Sequence, residues 1–327
     1  MLAARCETTG NARDVLKVDD VPTPEPAAGE VRIRLHASGV NPSDVKARAG
    51  RPVPSPWCIP HSDGAGIIDA VGAGVDPARI GQRVWVWNGQ WQRPFGTAAQ
   101  YIALPEEQAV PLPDSVGFDV GACLGIPALT AARAVELLGD IQGKTIVVIG
   151  AGSAVGHYAT QMAVLEGATV IGTGASPDKV KHALDAGAAH VVNYKTDNVA
   201  ARVKELTQGR GADGMIDMDF STTATMLGQG IVAPHSPVVI YGSNSLNDDV
   251  PVPIRAVFFA SLTLHTFLLY ELQPDARRRN IARINRWLEA GALKHAIGPR
   301  FALKDIATAH ETVEGGRAVG NVIVDIA

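Results

Sequence analysis

The sequence predicts an α/β protein built around a doubly wound parallel sheet, with a compact antiparallel β region ahead of it. Two observations support this prediction. From Thr145 onwards, short apolar strands alternate with stretches of helical periodicity, which is the pattern of a parallel sheet covered by helices. Ahead of Pro113, short alternating runs such as Glu30–His36 and Gln82–Val86 are broken by turn residues, which is typical of antiparallel strands.

The composition indicates a two-domain protein with a small-molecule partner. The chain has 327 residues, of which 46% are hydrophobic and 19% are charged, and its formal net charge is −4. This length suggests two domains with ample core. The net charge is small and the charges are evenly spread, which does not indicate binding to nucleic acid or to anionic lipid. We therefore expect a small molecule as the partner, and no nucleic acid.

Neither targeting segments nor paired cysteines are evident. The segment Met1–Gly10 has no basic region followed by an apolar region, and no later stretch of about 18 residues is apolar and uncharged. These features predict a cytoplasmic protein without membrane attachment. Cys6, Cys58 and Cys123 are far apart in the sequence and form no Cys-x-x-Cys motif, so we expect buried or idle thiols rather than a disulfide framework or a zinc cluster.

The elements of the sheet follow in order. Helical spacing covers Val120–Leu138, and the strand Thr145–Gly150, the helix Val155–Glu166 and the strand Thr169–Gly172 then form a βαβ unit. The sheet is expected to continue to about Phe267 through strands Val191–Asn193, Gly214–Met218 and Val238–Tyr241 and helices Lys179–Ala186 and Asn198–Leu206. After it come a helix Asp275–Ala290, the segment His295–Phe301, a helix Lys304–Glu314 and a strand Asn321–Ile326. These last pieces lack a second nucleotide turn, so the predicted domains are 1–118 and 119–267, with 268–327 returning to the first.

A glycine-rich turn joins the first strand and helix of the βαβ unit, in the run IVVIGAGSAVG. Gly150 and Gly152 permit a tight turn, and the N-terminus of the following helix presents free amide donors to a pyrophosphate. The predicted cofactor site therefore includes the turn and the start of that helix: Gly150, Gly152, Ser153, Ala154, Val155 and Gly156. Three residues, one more than in the Gly-x-Gly-x-x-Gly pattern, separate the last two glycines. A glycine turn of some other α/β protein is the alternative interpretation.

The end of the second strand, TVIGTGAS, carries no acidic residue. A carboxylate at this point would accept hydrogen bonds from the adenosine ribose and would repel a 2′-phosphate, so its absence predicts NADPH as the cofactor rather than NADH. The residues assigned to this end of the cofactor are Thr173, Gly174, Ser176, Lys179 and Tyr194. Gly242, Ser243 and Asn244 are added because they follow a strand at the carboxyl edge of the sheet, where ligands of such sheets bind. The alternative for Ser176, Lys179 and Tyr194 is ordinary surface polarity.

At this point the chain resembles a known family, the zinc-independent quinone oxidoreductases of the zeta-crystallin type, within the medium-chain dehydrogenase/reductase superfamily. The resemblance extends over essentially the whole chain. It is carried by Gly39–Asp44 (GVNPSD), Pro60–Gly66 (PHSDGAG), Gly125–Pro127 with Thr130 and Ala131, the glycine turn Gly150–Gly156, and the stretch Lys179–Tyr194.

This resemblance implies a Rossmann domain inserted into a GroES-like β domain formed by both chain ends. It also implies hydride transfer from NADPH to quinones or related conjugated carbonyl compounds, a cofactor cleft where the domains meet, and a homodimer. Asn321 is implied to face the cofactor and Thr130 to lie beside the nicotinamide, with helix capping as the alternative for Thr130. For the dimer, the apolar stretch Val257–Leu269 is the expected edge, and a buried terminal strand with an adjoining helix is the alternative.

The zinc site of the related alcohol dehydrogenases is not expected. Asn41 occupies the position of their first cysteine ligand and Ser62 that of their histidine, whereas zinc prefers thiolate and imidazole. The structural zinc lobe is also not expected, because Gln90–Gln100 contains no cysteine. Quinones and enones need less polarisation by a metal, since hydride addition to a quinone produces a stabilised phenolate.

Three residues are the catalytic candidates: Asn41, Lys46 and Thr130. Asn41 would donate to a substrate oxygen, or it would only cap its loop. Lys46 replaces a tyrosine that is common in the family, and it would contact cofactor phosphates or a developing oxyanion, or else be a solvated lysine. His61 would either protonate a reduced quinone or be an ordinary turn histidine, and the second interpretation is favoured. Asp44 and Asp63 are either a paired acid and base or, as the resemblance implies, structural acids that hold the cleft loops. An enone reductase and a noncatalytic NADPH-binding protein remain as alternative functions.

Overall fold

The computed structural model describes residues 1–243 and 249–326 and divides into two compact units. One unit comprises Met1–Ile126 with His295–Ala327 and is called the β unit below. The other comprises Pro127–Lys294 and is called the α/β unit. Each unit has its own cluster of buried apolar side chains.

The described part of the chain forms the following elements. The strands are β1 (Leu2–Arg5), β2 (Lys17–Asp20), β3 (Glu30–Val40), β4 (Asp63–Val71), β5 (Arg83–Val86), β6 (Tyr101–Pro105), β7 (Ala109–Pro111), β8 (Thr145–Val148), β9 (Thr169–Gly174), β10 (His190–Asn193), β11 (Gly214–Asp217), β12 (Pro237–Ile240), β13 (Thr263–Thr266), β14 (Ile297–Ala302) and β15 (Asn321–Asp325). The α-helices are α1 (Ala12–Val15), α2 (Pro42–Gly50), α3 (Phe118–Gly121), α4 (Leu129–Leu137), α5 (Ala154–Leu165), α6 (Pro177–Asp185), α7 (Val199–Leu206), α8 (Phe220–Thr223), α9 (Ile254–Phe259), α10 (Pro274–Glu289) and α11 (Ile306–Glu314).

The β unit contains a sheet in the order β14-β15-β3-β4-β5-β7, and β6 pairs with β3. Its pairs are antiparallel except for β14 with β15, which confirms the antiparallel region predicted from the first third of the chain. Strand β3 shows why: Val31, Ile33 and Leu35 alternate with polar residues, so every second side chain enters the core. The pair β1 and β2 forms a separate ribbon.

The α/β unit contains a parallel sheet in the order β10-β9-β8-β11-β12-β13 over its described strands. Numbered from β8, this is the order 3-2-1-4-5-6 of a Rossmann sheet. Ile146, Val147 and Val148 of β8 are fully buried, as expected for a central strand covered on both faces. The predicted fold class is confirmed: a doubly wound parallel sheet inserted between the two parts of a GroES-like β unit.

The boundaries between the β unit and the α/β unit lie at 126/127 and 294/295, whereas the sequence predicts domain boundaries at 118/119 and 267/268. Residues 119–126 lie in the β unit because they pack on its strands: a Cβ at Gly121 would come within 2.6 Å of Ala65 Cβ. Helix α10 lies in the α/β unit because it is tied to α4, where Glu136 accepts from Asn280 Nδ2 at 2.6 Å and pairs with Arg279 at 2.8 Å. Such long-range contacts have no local sequence signature.

Two predicted elements differ from the structure. The helix expected over Val120–Leu138 is interrupted, with α3 and α4 separated by a π-helical turn at Leu124–Ala128 that contains Pro127. Proline has no N–H to donate, which accounts for the break. The apolar stretch Val257–Leu269 is not one strand, because its first residues end helix α9 before β13 begins. Among the described residues, no helix has the length and apolarity needed to cross a bilayer.

Candidate functional site

The glycine turn between β8 and α5 has the geometry that a nucleotide turn requires. Gly150 has a φ of +72°, a conformation in which a side chain would be strained. Its N–H donates to Thr173 Oγ1 at 2.8 Å, which fixes the turn to the neighbouring strand β9. A Cβ at Gly156 would overlap the carbonyl oxygen of Gly150, so the third glycine allows α5 to pack closely on the turn.

The N-terminus of α5 offers unused donors. Ser153 is the N-cap residue, and its side chain accepts from the N–H of Gly156 at 3.0 Å. Within residues 1–243 and 249–326, no acceptor meets the N–H groups of Ala154 or Val155. Two free amides and the positive end of the helix dipole form a site for an anionic group.

The residues assigned to the adenosine end lie together at the carboxyl edge of β9 and β10. Gly174 ends β9 and is the register partner of Asn193, so Tyr194 follows directly beside it and is 52% exposed. Ser176 is the N-cap residue of α6, and its Oγ accepts from the N–H of Lys179 at 3.4 Å. Lys179 lies against the glycine turn, because a Cβ at Gly152 would be 2.7 Å from Lys179 Cβ. Partial burial lowers the pKa of Lys179.

The end of β12 lies at the same carboxyl edge of the parallel sheet. A Cβ at Gly242 would overlap the carbonyl oxygen of Met218, which follows β11, and the side chain of Met218 also fills the space beside Gly150. Gly242 and the residue after it, Ser243, therefore lie close to the glycine turn. Asn244, which was assigned with them, lies outside the described residues.

In the β unit, Asn41 is joined to two buried acids. It is the N-cap residue of α2, its backbone N–H donates to Asp44 Oδ2 at 2.8 Å, and its Nδ2 donates to Asp63 Oδ2 at 3.0 Å. Burial raises the pKa of Asp44 to about 7. Burial, together with the charge of Asp44, raises the pKa of Asp63 well above its usual value. These contacts agree with the interpretation of both acids as structural.

The remaining candidates are distributed over both units. Lys46 is exposed in the middle of α2, in the β unit, and Thr130 is buried in α4, in the α/β unit. Thr130 does not cap α4, because the N-cap residue is Ala128. Asn321 begins β15 in the β unit, and its Nδ2 donates to the carbonyl oxygen of Ala296 at 3.1 Å.

His61 differs from an ordinary turn histidine. It is fully buried and has a φ of +78°. Its Nδ1 is 2.9 Å from Ser38 Oγ, and its Nε2 is 2.9 Å from Nε2 of His310. Burial and the neighbouring His310 hold the pKa of His61 well below its usual value, and burial lowers the pKa of His310 to about 3, which favours the neutral form of both imidazoles at neutral pH. The sequence provided no signal for this chain of polar groups, because its members are far apart in the sequence.

A second group that sequence reasoning missed is the pair Cys6 and Cys58. The two residues are opposite each other in an antiparallel bridge and line a cavity of about 290 Å³ in the β unit. Their burial agrees with the sequence-based expectation, but their proximity does not follow from their positions in the sequence.

The family comparisons agree with this architecture. Residues 27–114 match the model of the alcohol dehydrogenase GroES-like domain, and residues 154–286 match the model of the zinc-binding dehydrogenase. These two matches cover the first part of the β unit and most of the α/β unit.

Similar proteins extend over almost the full chain. A quinone oxidoreductase of Pseudomonas aeruginosa is 31% identical over 322 residues, which cover 95% of each protein. A mycobacterial protein crystallised in complex with NADPH is 29% identical with a TM-score of 0.88, over 99% of this chain and 100% of that one. A structure described as an NAD-dependent alcohol dehydrogenase is 30% identical with a TM-score of 0.87, over the full length of both. The chain belongs to the quinone oxidoreductase family of enzymes, of the zeta-crystallin type, within the medium-chain dehydrogenase/reductase superfamily.

Proposed function

We propose that this protein is an NADPH-dependent oxidoreductase that transfers hydride to a quinone without the aid of zinc. The observation that carries the proposal is the end of β9, where Ser176 and Lys179 stand in place of an acidic residue. The family relationship supports the reaction class, and the mycobacterial neighbour that was crystallised with NADPH supports the cofactor.

The residues at the edge of the parallel sheet fit the cofactor. The free N–H groups of Ala154 and Val155 would hold the pyrophosphate, and the glycines allow the turn to pack closely against Met218, Lys179 and the start of α5. Ser176, Lys179 and Tyr194 would hold the 2′-phosphate, since a hydroxyl, an ammonium and a phenol all donate to phosphate oxygens. When bound, NADPH supplies the hydride.

Zinc does not fit the residues of the β unit. Asn41 offers an amide whose Nδ2 already donates to Asp63, and Ser62 offers a hydroxyl, whereas zinc binds thiolate and imidazole. No group of three or more His, Cys, Asp or Glu side chains in the described ranges is arranged to hold a metal. The reaction is therefore proposed to depend on positioning and on hydrogen bonding to the acceptor.

Asn41 and Lys46 are the proposed donors to the acceptor. The Nδ2 of Asn41 donates to Asp63, which holds the amide in place for donation to a substrate oxygen. Lys46 would stabilise the developing phenolate by its charge. Thr130 and Asn321 are proposed to contact the nicotinamide end of the cofactor, as the family relationship implies.

An acceptor panel tests the reaction. NADPH oxidation is followed with simple benzoquinones and naphthoquinones, with enones and with aldehydes. We expect turnover with quinones, little with aldehydes, and no loss of activity after treatment with a zinc chelator. Lys46→Met is expected to lower kcat with quinones. Enone turnover that exceeds quinone turnover would favour double-bond reduction, and tight NADPH binding without any turnover would contradict an enzymatic role.

The assembly and location are proposed with the function. Strand β13 is the last strand of its sheet within the described residues. Directly before this strand in the chain, α9 exposes Ile254, Phe258 and Phe259 at 68%, 75% and 71%. An apolar surface beside a sheet edge suits a two-fold interface, so we expect a homodimer. A cytoplasmic location belongs to the same proposal.

A further inference from the structure

The backbone of the β unit holds two cysteines opposite each other. Beyond β1, Cys6 forms an antiparallel bridge with Cys58, in which the N–H of each residue donates to the carbonyl oxygen of the other at 2.9 Å and 2.8 Å. Side chains of directly opposed residues leave an antiparallel pair on the same face. Cys6 Sγ also lies 3.7 Å from the carbonyl oxygen of Cys58. The two thiols are thus neighbours in the fold.

Both cysteines line the cavity of about 290 Å³, which is large enough for several water molecules. The two residues are only 4% and 5% exposed, so a small molecule can reach them through the cavity and a protein cannot. Arg48 and Arg51 line the same cavity. The guanidinium of Arg48 donates to the carbonyl oxygen of Gly10 and pairs with Glu314, which holds its positive charge beside the cavity.

The pair is electrostatically unequal. The hydrogen bond from the Cys58 thiol stabilises a thiolate at Cys6 and lowers the pKa of Cys6. The same contact, with burial, raises the pKa of Cys58. Because the thiolate is the reactive form of cysteine, we assign the first attack on an oxidant to Cys6 and the second step to Cys58.

We propose that Cys6 and Cys58 form a redox-active dithiol, which a small hydroperoxide entering this cavity converts reversibly into an intramolecular disulfide. With hydrogen peroxide, the Cys6 thiolate attacks one oxygen, the O–O bond breaks, and the leaving hydroxide takes a proton from solvent to become water. Cys6 is then a sulfenic acid. The sulfur of Cys58 attacks that of Cys6, the S–S bond forms, the S–O bond breaks, and the thiol proton leaves with the hydroxide as a second water. Two thiols have lost two electrons, and the peroxide has gained them.

The backbone geometry indicates a labile rather than a structural disulfide. Hydrogen-bonded antiparallel partners have Cα atoms about 5.5 Å apart, within the roughly 4.4–6.8 Å that a disulfide spans. Their Cβ atoms are about 4.5–5.5 Å apart, whereas a relaxed disulfide holds them at about 3.5–4.5 Å. The segments must therefore approach each other, and a disulfide closed in this way is readily reduced.

Cys123 provides a matched control. It is buried at 1% exposure, it donates to the carbonyl oxygen of Asp119 at 3.2 Å, and it is absent from the cavity lining. Burial and the nearby Asp63 and Asp119 raise the pKa of Cys123, which keeps it as an unreactive thiol.

The test treats the full chain with stoichiometric hydrogen peroxide, alkylates it under denaturing conditions, and maps the peptides by mass spectrometry. We expect the number of free thiols to fall from three to one, with a linked peptide pair containing Cys6 and Cys58. Reduction with dithiothreitol under mild conditions should restore all three free thiols. Cys58→Ser should stop at a Cys6 sulfenic acid that dimedone captures, and Cys123→Ser should still form the link.

The proposal is overturned if Cys6 and Cys58 remain fully alkylatable after peroxide, if Cys123 is lost equally fast, or if the link joins two chains. Peptide mapping of the peroxide-treated unmodified protein shows whether Cys6 and Cys58 are linked, even where Cys58→Ser fails to fold. The test needs neither NADPH nor a quinone, so its outcome is independent of the proposed function.

Discussion

At the scale of single residues, the β unit contains a buried carboxyl group, that of Asp44, whose pKa is raised. Asp44 is 3% exposed, and its carboxylate accepts from the N–H of Asn41. Burial disfavours the charged form more than this hydrogen bond favours it, so the pKa rises from 3.8 to about 7. The fold therefore binds a proton that the unfolded chain has released at intermediate pH.

This shift predicts the pH dependence of stability. For an acid with a raised pKa in the folded state, the stabilisation is complete below pH 3.8 and is lost as pH rises through about 7. Between these values the contribution of Asp44 to the free energy of unfolding should fall by a few kcal/mol, at about 1.36 kcal/mol per pKa unit. Asp44→Asn keeps an acceptor for the N–H of Asn41 but removes the titrating carboxyl. In this variant the free energy of unfolding, measured by urea denaturation, should depend less on pH over this range.

The control is Asp114→Asn, because the Asp114 side chain is 99% exposed. In that variant the free energy of unfolding should depend on pH as it does in the unmodified protein. Superimposable profiles for Asp44→Asn and the unmodified protein would show that the Asp44 carboxyl does not carry this proton.

At the scale of elements, the nucleotide turn depends on the contact between α5 and the turn itself. A Cβ at Gly156 would overlap the carbonyl oxygen of Gly150, which is backbone and cannot rotate away. Gly156→Ala should therefore displace the start of α5, lower stability by about 1–3 kcal/mol, and weaken dinucleotide binding as the amides of Ala154 and Val155 move. Thermal unfolding and a nucleotide titration measure the two effects.

Gly50→Ala is the matched control, since no atom lies within 4 Å of a Cβ at this last residue of α2. It should leave both quantities unchanged or slightly raise stability. Equal behaviour of the two variants would mean that the close approach of α5 is not needed.

How far the sequence predicts these elements depends on the range of the interactions involved. The strand β8, the turn at Gly150 and the acid-free end of β9 follow from local patterns, and each was predicted to within a few residues. The attachment of α10 to α4 through Glu136 and the pairing of His61 with His310 connect distant parts of the chain. Periodicity and turn chemistry carry no information on such contacts, so they emerge only from the structure.

At the scale of the whole molecule, the exposed apolar surface of α9 predicts self-association. Phe258 and Phe259 are 75% and 71% exposed, which is unusual for two adjacent aromatic side chains on a protein surface. Light scattering should give the mass of two chains. The double variant Phe258→Glu with Phe259→Glu should give the mass of one, because two buried charges oppose the interface.

Ile80→Glu serves as the control, as Ile80 is 52% exposed in the β unit and far from this strand edge in the sequence. It should leave the mass unchanged. A single-chain mass for the unmodified protein at micromolar concentration would contradict the dimer.

The central claim is that the edge beyond β9 selects a phosphorylated dinucleotide. Its most direct test is a titration with NADPH and with NADH for the unmodified protein, for Lys179→Gln, and for Lys181→Gln as the control in the same helix, where Lys181 pairs with Asp185 at 2.6 Å. The account predicts tighter binding of NADPH by the unmodified protein and by Lys181→Gln. In Lys179→Gln the affinity for NADPH should fall by roughly 10- to 100-fold, as for a lost charge-assisted hydrogen bond, while that for NADH stays constant. Equal or tighter binding of NADH by the unmodified protein would contradict it.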